Sequence, residues 1–261
     1  MEETVTESML KLKEGTPATL NEDTEYLPLI NVEELPSGFK GYPQGTKIGF
    51  RPITLDELEA LNSSDIEPER AVAMLLKSIH CTTLPSEELY YWDVIYVGVK
   101  RKLLAFGDIK GTIYKRCPKC GNIVSKSFKY TDIEFEELKV PNLPMKLDIC
   151  GKKLEFGLIT MKDFLQIKEE QGALGVYARM IKNMSFDEAY KLVKSAYGVD
   201  IKKLKFVDQS LNYGIKPFIV ECEGDETPCG EEVFLEVRSP FEIVFPEDAL
   251  EGDNEFEVQY G

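Results

Sequence analysis

Two pairs of cysteines stand at spacings that suit metal ligation. Cys117-Pro-Lys-Cys120-Gly121-Asn122 has the form of a zinc knuckle, with two thiolates on a tight turn and a glycine where the backbone must bend so that its amides face the sulfurs. A closed tetrahedral site takes four ligands, and the other close pair is Cys222 with Cys229, flanked by Pro228 and Gly230 much as the first pair is flanked. The expected ligand set is therefore Cys117, Cys120, Cys222 and Cys229, holding a structural Zn2+. The loop EGDETP between the second pair is longer than the usual spacing of about two to four residues, yet it is polar and flexible. Closing a loop of about 100 residues costs on the order of 4 kcal/mol. A structural zinc contributes roughly 10–16 kcal/mol at neutral pH, so the ion outweighs the closure.

Two other readings of these thiols stay open. The knuckle could be half of a site that holds no metal, or Cys150, followed by Gly151, could replace Cys222 or Cys229 as a ligand. Cys150 also reads as a buried thiol at a strand end. Cys81 and the only histidine, His80, carry no expected role in ligation or catalysis. Four thiolates leave no open position for water or substrate, which disfavours a catalytic metal. The chain contains no Walker loop, GxSxG elbow, HExxH or EF-hand loop. Acid pairs such as Glu87-Glu88, Glu136-Glu137 and Glu231-Glu232 read as solvated faces in so acidic a sequence. A non-enzymatic protein is expected.

The elements that must position these ligands are legible in the pattern. Hydrophobic residues make up 43% and charged residues 30% of 261 residues, a globular composition with enough length for one large core or two small ones. Residues 1–45 are acidic and lack periodicity, and read as a mobile arm or docking segment, with the apolar run from Tyr26 to Val32 available to a partner or to the body. Residues 46–107 read as a helical domain, opened by a short strand at Lys47–Ile53. Thr54 and Glu57 then form a capping box, and a further helix carries Ala71, Met74, Leu75 and Ile79 on one face. From Ser86, a stripe of Leu89, Trp92, Tyr96, Val99, Leu103 and Phe106 marks a helix that stops at Gly107, although its β-branched residues keep a strand reading alive.

Residues 108–160 and 212–245 alternate like strands of one small antiparallel, zinc-ribbon-like β unit. A helical insert over 161–211 interrupts them, its segments separated by Gly172, Asn183 and Gly198, with a second capping box at Ser185 and Glu188. Residues 246–261 form an acidic tail. The fold class is α+β.

Charge is unevenly distributed around a net value of −15. Residues 100–129 hold nine Lys or Arg against one Asp, whereas residues 221–261 hold fourteen acids against Arg238, so the two segments should attract each other. The overall balance argues against nonspecific binding to nucleic acid. A zinc-ribbon module that binds nucleic acid or serves transcription is nevertheless the rival reading, motivated by the basic stretch around the knuckle. The N-terminal residues are acidic where a secretory leader is basic and apolar, and no apolar run reaches about 18 residues. A soluble chain in a reducing compartment, with no membrane contact, is expected.

The order of these features carries a resemblance. An Arg-Pro-Ile-Thr turn leads into an acidic helix (Phe50 to Leu61), then a short helix ending at Cys81, then a helix bearing Asp93, Tyr96 and Arg101. The first cysteine pair, the helical insert and a terminal pair followed by Phe234 and Phe241 complete it. Over about residues 45–245 the chain resembles the T4 baseplate protein family of contractile-tailed bacteriophages. The resemblance implies a component of the baseplate hub, or a factor that assembles it, whose partners are other baseplate or tail proteins. Its place would be the tail baseplate of the virion, and the host cytoplasm during assembly.

Overall fold

The computed structural model describes residues 29–61, 68–224 and 229–235. Strands β1 (Ile30–Val32), β2 (Ile48–Phe50) and β3 (Ile79–Cys81) form an antiparallel sheet in the order β1-β2-β3. Helices α1 (Leu55–Leu61), α2 (Pro68–Ser78) and α3 (Tyr91–Phe106) accompany it. Ile48, Phe50, Val72, Leu75, Val94 and Ile95 are the centre of the first core. Thr54 and Glu57 close the expected capping box, each backbone N–H donating to the other's side chain at 3.0 and 3.2 Å.

Two expectations change here. The segment expected to continue the acidic arm to residue 45 is built into the body: β1 pairs with β2, and Leu35 and Ser37 are buried. A three-residue strand is too short to show periodicity, and its burial depends on what lies opposite it. Residues 1–28 lie outside the described residues. The expected helix from Ser86 begins with a separate 3-10 turn (Ser86–Glu88), and α3 proper starts at Tyr91. Rather than showing one buried stripe, α3 buries Asp93, Val94, Ile95, Val97, Gly98, Val99, Arg101 and Lys102, so several sides of the helix face protein.

The β unit also differs from expectation. β4 (Lys110–Arg116) pairs with β5 (Ile123–Lys129), and β10 (Phe218–Glu221) with β11 (Glu232–Leu235), giving two separate hairpins packed over Val124, Val233 and Leu235. A short pair, β6 (Phe135–Glu136) with β9 (Gly214–Ile215), joins the chain on either side of the helical block. The remaining hairpin, β7 (Met145–Ile149) with β8 (Lys152–Phe156), belongs with the helices rather than with the cysteine-bearing strands. Its inward Leu154 and Phe156 need an apolar cover. Helix α4 (Met161–Leu165) packs on the first core through Met161, Phe164 and Leu165, whereas α5 (Gly172–Met180), α6 (Phe186–Lys194) and α7 (Val199–Ser210) surround the second core, to which Ala178, Leu192 and Val207 contribute. Ser185 and Glu188 cap α6 as expected, and Thr160 with Asp163 supplies a further box at α4. The strand-like run 241–245 lies outside the described residues.

Three charged side chains of α3 are all but fully buried, and each finds its partner on another segment. Arg101, 2% exposed, donates to Glu57 at 2.5 Å and to the carbonyls of Arg51 and Pro52 at 2.8 and 3.1 Å. Arg51 grips the same carboxylate with two bonds of 2.8 and 2.5 Å. Asp93 accepts from the Ser37 N–H at 3.0 Å and from the Tyr42 hydroxyl at 2.9 Å. Lys102 donates to the Tyr130 hydroxyl at 2.8 Å. Burial pushes the Asp93 carboxyl up to about 6 and the Lys102 ammonium down to about 6.

Glu57→Ala strands the buried Arg101 guanidinium, and urea unfolding should show a loss of about 3–5 kcal/mol; an unchanged midpoint would refute the role given to this cluster. Asp93 yields a pH signature. Its unfolded carboxyl titrates near 3.9, so between about 4 and about 6 the folded chain holds more protons. Its contribution to stability is present below that window, falls as pH rises through it and is flat above. Asp93→Asn should remove this component from the pH dependence of thermal unfolding.

Candidate metal centre

Each cysteine pair sits at the end of its own hairpin. Cys117 follows β4, and its N–H donates to the Asn122 carbonyl at 2.7 Å while the Gly121 N–H donates to the Cys117 carbonyl at 3.0 Å. In the second hairpin the Cys222 N–H donates to the Glu231 carbonyl at 2.8 Å, and the Gly230 N–H donates to the Cys222 carbonyl at 3.0 Å. Asn122 and Glu231 each follow the glycine that follows the second cysteine of the pair. The same two bonds therefore close both turns, although the loops differ in length. Gly121 and Gly230 have φ of 81° and 66°, the left-handed region that glycine enters without strain.

The packed hairpins bring all four expected sulfurs together. Cys117 and Cys229 lie 3.8 Å apart, Cys120 and Cys222 3.5 Å, and all four ligand atoms fall within 4.8 Å of one another. Zinc–sulfur bonds of about 2.3 Å give a tetrahedron with edges of about 3.8 Å, which these separations suit. They are too long for disulfides, whose sulfurs approach to about 2.05 Å. The four thiols can hold a metal ion.

Cys117 and Cys222 are buried, Cys229 is half-buried and Cys120 is exposed. Backbone N–H groups of Cys120 and Lys119 pull the Cys117 thiol down to about 7. Burial pushes Cys222 up to about 12 and raises Cys229. Four neighbouring sulfurs cannot all ionise without a cation to offset their repulsion.

Lys119 and Lys115 tie the hairpins together, a role their sequence positions did not suggest. Lys119 Nζ donates to the Cys229 carbonyl at 2.9 Å and Lys115 Nζ to the Phe234 carbonyl at 3.0 Å. Both lysines are met by neutral backbone carbonyls rather than by carboxylates of the acidic C-terminal segment, most of which lies outside the described residues. Only the β-register reveals that Lys115 faces the neighbouring hairpin.

The other candidates lie elsewhere. Cys150 occupies the β7–β8 turn at φ 50° and packs beside the second core, outside the four-sulfur group. Burial raises its thiol. Cys81 ends β3 with its sulfur 3.7 Å from the Thr83 hydroxyl, and His80 is exposed on the same strand.

Residues 27–213 match the model of the T4 bacteriophage base plate protein family, well over half of the chain. The chain belongs to that family. No curated protein and no solved structure matches it. The family comparison supports a structural, non-catalytic role exercised through protein contacts, and it places the chain with the phage tail baseplate. The match starts earlier than the expected residue 45 and takes in β1 and the Ser37–Tyr42 segment. It ends before Cys222 and Cys229, so it contains Cys117 and Cys120 but not the terminal pair, Phe234 or Phe241. No helix among the described residues is long and apolar enough to cross a membrane.

Protein purified without chelator should carry one zinc per chain by atomic emission. Cys117→Ser and Cys229→Ser should each abolish the stoichiometric metal, while Cys150→Ser retains it. Metal lost on changing Cys150 would overturn the ligand set.

Proposed function

We propose that this chain is a structural or assembly protein of a contractile phage tail baseplate, acting through protein contacts on a scaffold stapled by Zn2+ at Cys117, Cys120, Cys222 and Cys229. The family match is the observation that carries the reading. The metal would hold the C-terminal hairpin to the β4–β5 hairpin across 102 residues of sequence, between Cys120 and Cys222. On the helical block, Tyr197, Val199, Ile201 and Phe206 are exposed at 76%, 63%, 45% and 54%. Val199 and Phe206, seven positions apart, share one face of helix α7, and exposed apolar side chains placed so suit contact with neighbouring subunits. The protein works in the tail of the virion, reached by assembly in the host cytoplasm. The rival nucleic-acid reading meets a chain whose net charge is −15, which opposes binding to a phosphate backbone.

Mass spectrometry of gradient-purified tails and baseplate intermediates should find this chain in at least one of those fractions. Its absence from all of them would sink the assignment. Cys229→Ser should lower its incorporation at least severalfold, whereas incorporation equal to that of the unaltered chain would separate the metal from the assembly role.

A further inference from the structure

The two cysteine hairpins pack with their inner faces together, which leaves each with an outer face of distinct chemistry. On the β4–β5 hairpin the outward rungs are Lys110 opposite Lys129, Thr112 opposite Ser127, Tyr114 opposite Ser125, and Arg116 opposite Ile123. This face carries three cations and no carboxylate, with Tyr114 and Ile123 exposed at 71% and 66%. On the β10–β11 hairpin the outward rungs are Ile219 opposite Phe234 and Glu221 opposite Glu232. Here the apolar pair is exposed at 59% and 46%, and both charges are acidic.

Like charges directly opposite one another weaken a β ladder, yet each hairpin carries such a rung: Lys110 with Lys129, and Glu221 with Glu232. Among the described residues, Lys129 is offset by Asp108, 3.3 Å from its ammonium. Sequence choices that oppose local stability mark surfaces selected for something else. The faces also share an order. In each, a charged residue stands on the rung nearest its knuckle, Arg116 in one and the two glutamates in the other. An apolar or aromatic side chain lies on that rung or the next.

We infer that the basic outer face of one copy binds the acidic outer face of a second copy, head to tail, with Arg116 between Glu221 and Glu232 and with Tyr114 and Ile123 against Ile219 and Phe234. The occupant is a second copy because the chain itself supplies both the positive, aromatic face and its negative, apolar complement. Such a contact is heterologous, so it propagates into a ring or a short filament rather than closing as a symmetric dimer. Each face spans only a few rungs of a two-stranded ribbon, so an isolated contact is weak and salt-sensitive. The inference rests on the proposed baseplate role and specifies one of the surfaces through which that role is exercised.

Sedimentation velocity on the full chain, up to about 1 mM and at low and high salt, tests it. The weight-average sedimentation coefficient should rise with concentration at low salt and lose most of that rise at high salt. Reversing either face alone, with Lys110→Glu plus Arg116→Glu or with Glu221→Lys plus Glu232→Lys, should weaken association at least tenfold. An equimolar mixture of the two reversed chains should regain it, because each then offers the other a complementary face. Metal content measured on the same samples reports separately on the zinc scaffold. A metal-loaded chain that stays monomeric throughout would overturn the inference and leave the baseplate assignment standing. So would a monomer whose basic face instead binds a labelled single-stranded oligonucleotide in an Arg116-dependent way.

Discussion

The constraint on which most of the described structure depends is the burial of charge along α3. A helix covered on several sides would ordinarily be apolar throughout, yet this one carries Asp93, Arg101 and Lys102 at 1–2% exposure. A polar or ionised group in the interior is costly unless it is met by partners, so each of the three dictates where another part of the chain must lie. Asp93 draws in the segment containing Ser37 and Tyr42, Arg101 the turn and first helix that follow β2, and Lys102 the end of the β4–β5 hairpin at Tyr130. Such groups contribute little net stability compared with apolar residues of the same size. Their effect is to select one arrangement of segments among the many that would bury similar area.

The second constraint acts at the other end of the β4–β5 hairpin. The C-terminal hairpin buries a small cluster, Val124, Val233 and Leu235 with Ile113, Phe218 and Val220 packed against it, and two lysines bridge to its carbonyls. So small an apolar contact is a modest counterweight to the closure of a long loop. A metal shared by Cys117, Cys120, Cys222 and Cys229 would join the two hairpins at their knuckle ends, where Cys117 and Cys222 are already part of that cluster. Because the family match ends before the second pair, the terminal hairpin is the part of this chain's architecture to which that comparison does not speak. The matched region itself spans both larger cores, consistent with a scaffold whose function is to present surfaces.

How much of this was legible in sequence depends on the range of the interaction. The grouping of Cys117, Cys120, Cys222 and Cys229 was readable because thiols at a knuckle spacing, followed by glycine, have few other uses. The repeat of that glycine after Cys229 marked the second turn in spite of its longer loop. Both capping boxes were readable for the same reason, since Thr54 with Glu57 and Ser185 with Glu188 interact within a single turn. The helices over 161–211 followed from apolar periodicity. In contrast, the stripe on α3 pointed to one buried face, because periodicity reports hydrophobic side chains and is blind to buried Arg101 and Lys102.

Local chemistry thus belongs to the sequence by itself: the α+β class, the candidate ligands, the caps and the acidic balance all rest on residues a few positions apart. Tertiary structure alone decided which elements share a core. It moved β7–β8 away from the cysteine hairpins to the helical block, because Leu154 and Phe156 are covered by helices α5 to α7. It also drew the segment after Leu29 out of a supposed arm and into a sheet, where Ser37 and Tyr42 donate to Asp93, more than fifty positions away. Contacts of that separation leave no periodic trace in the chain, since their stability comes from burial that exists only once the fold has formed.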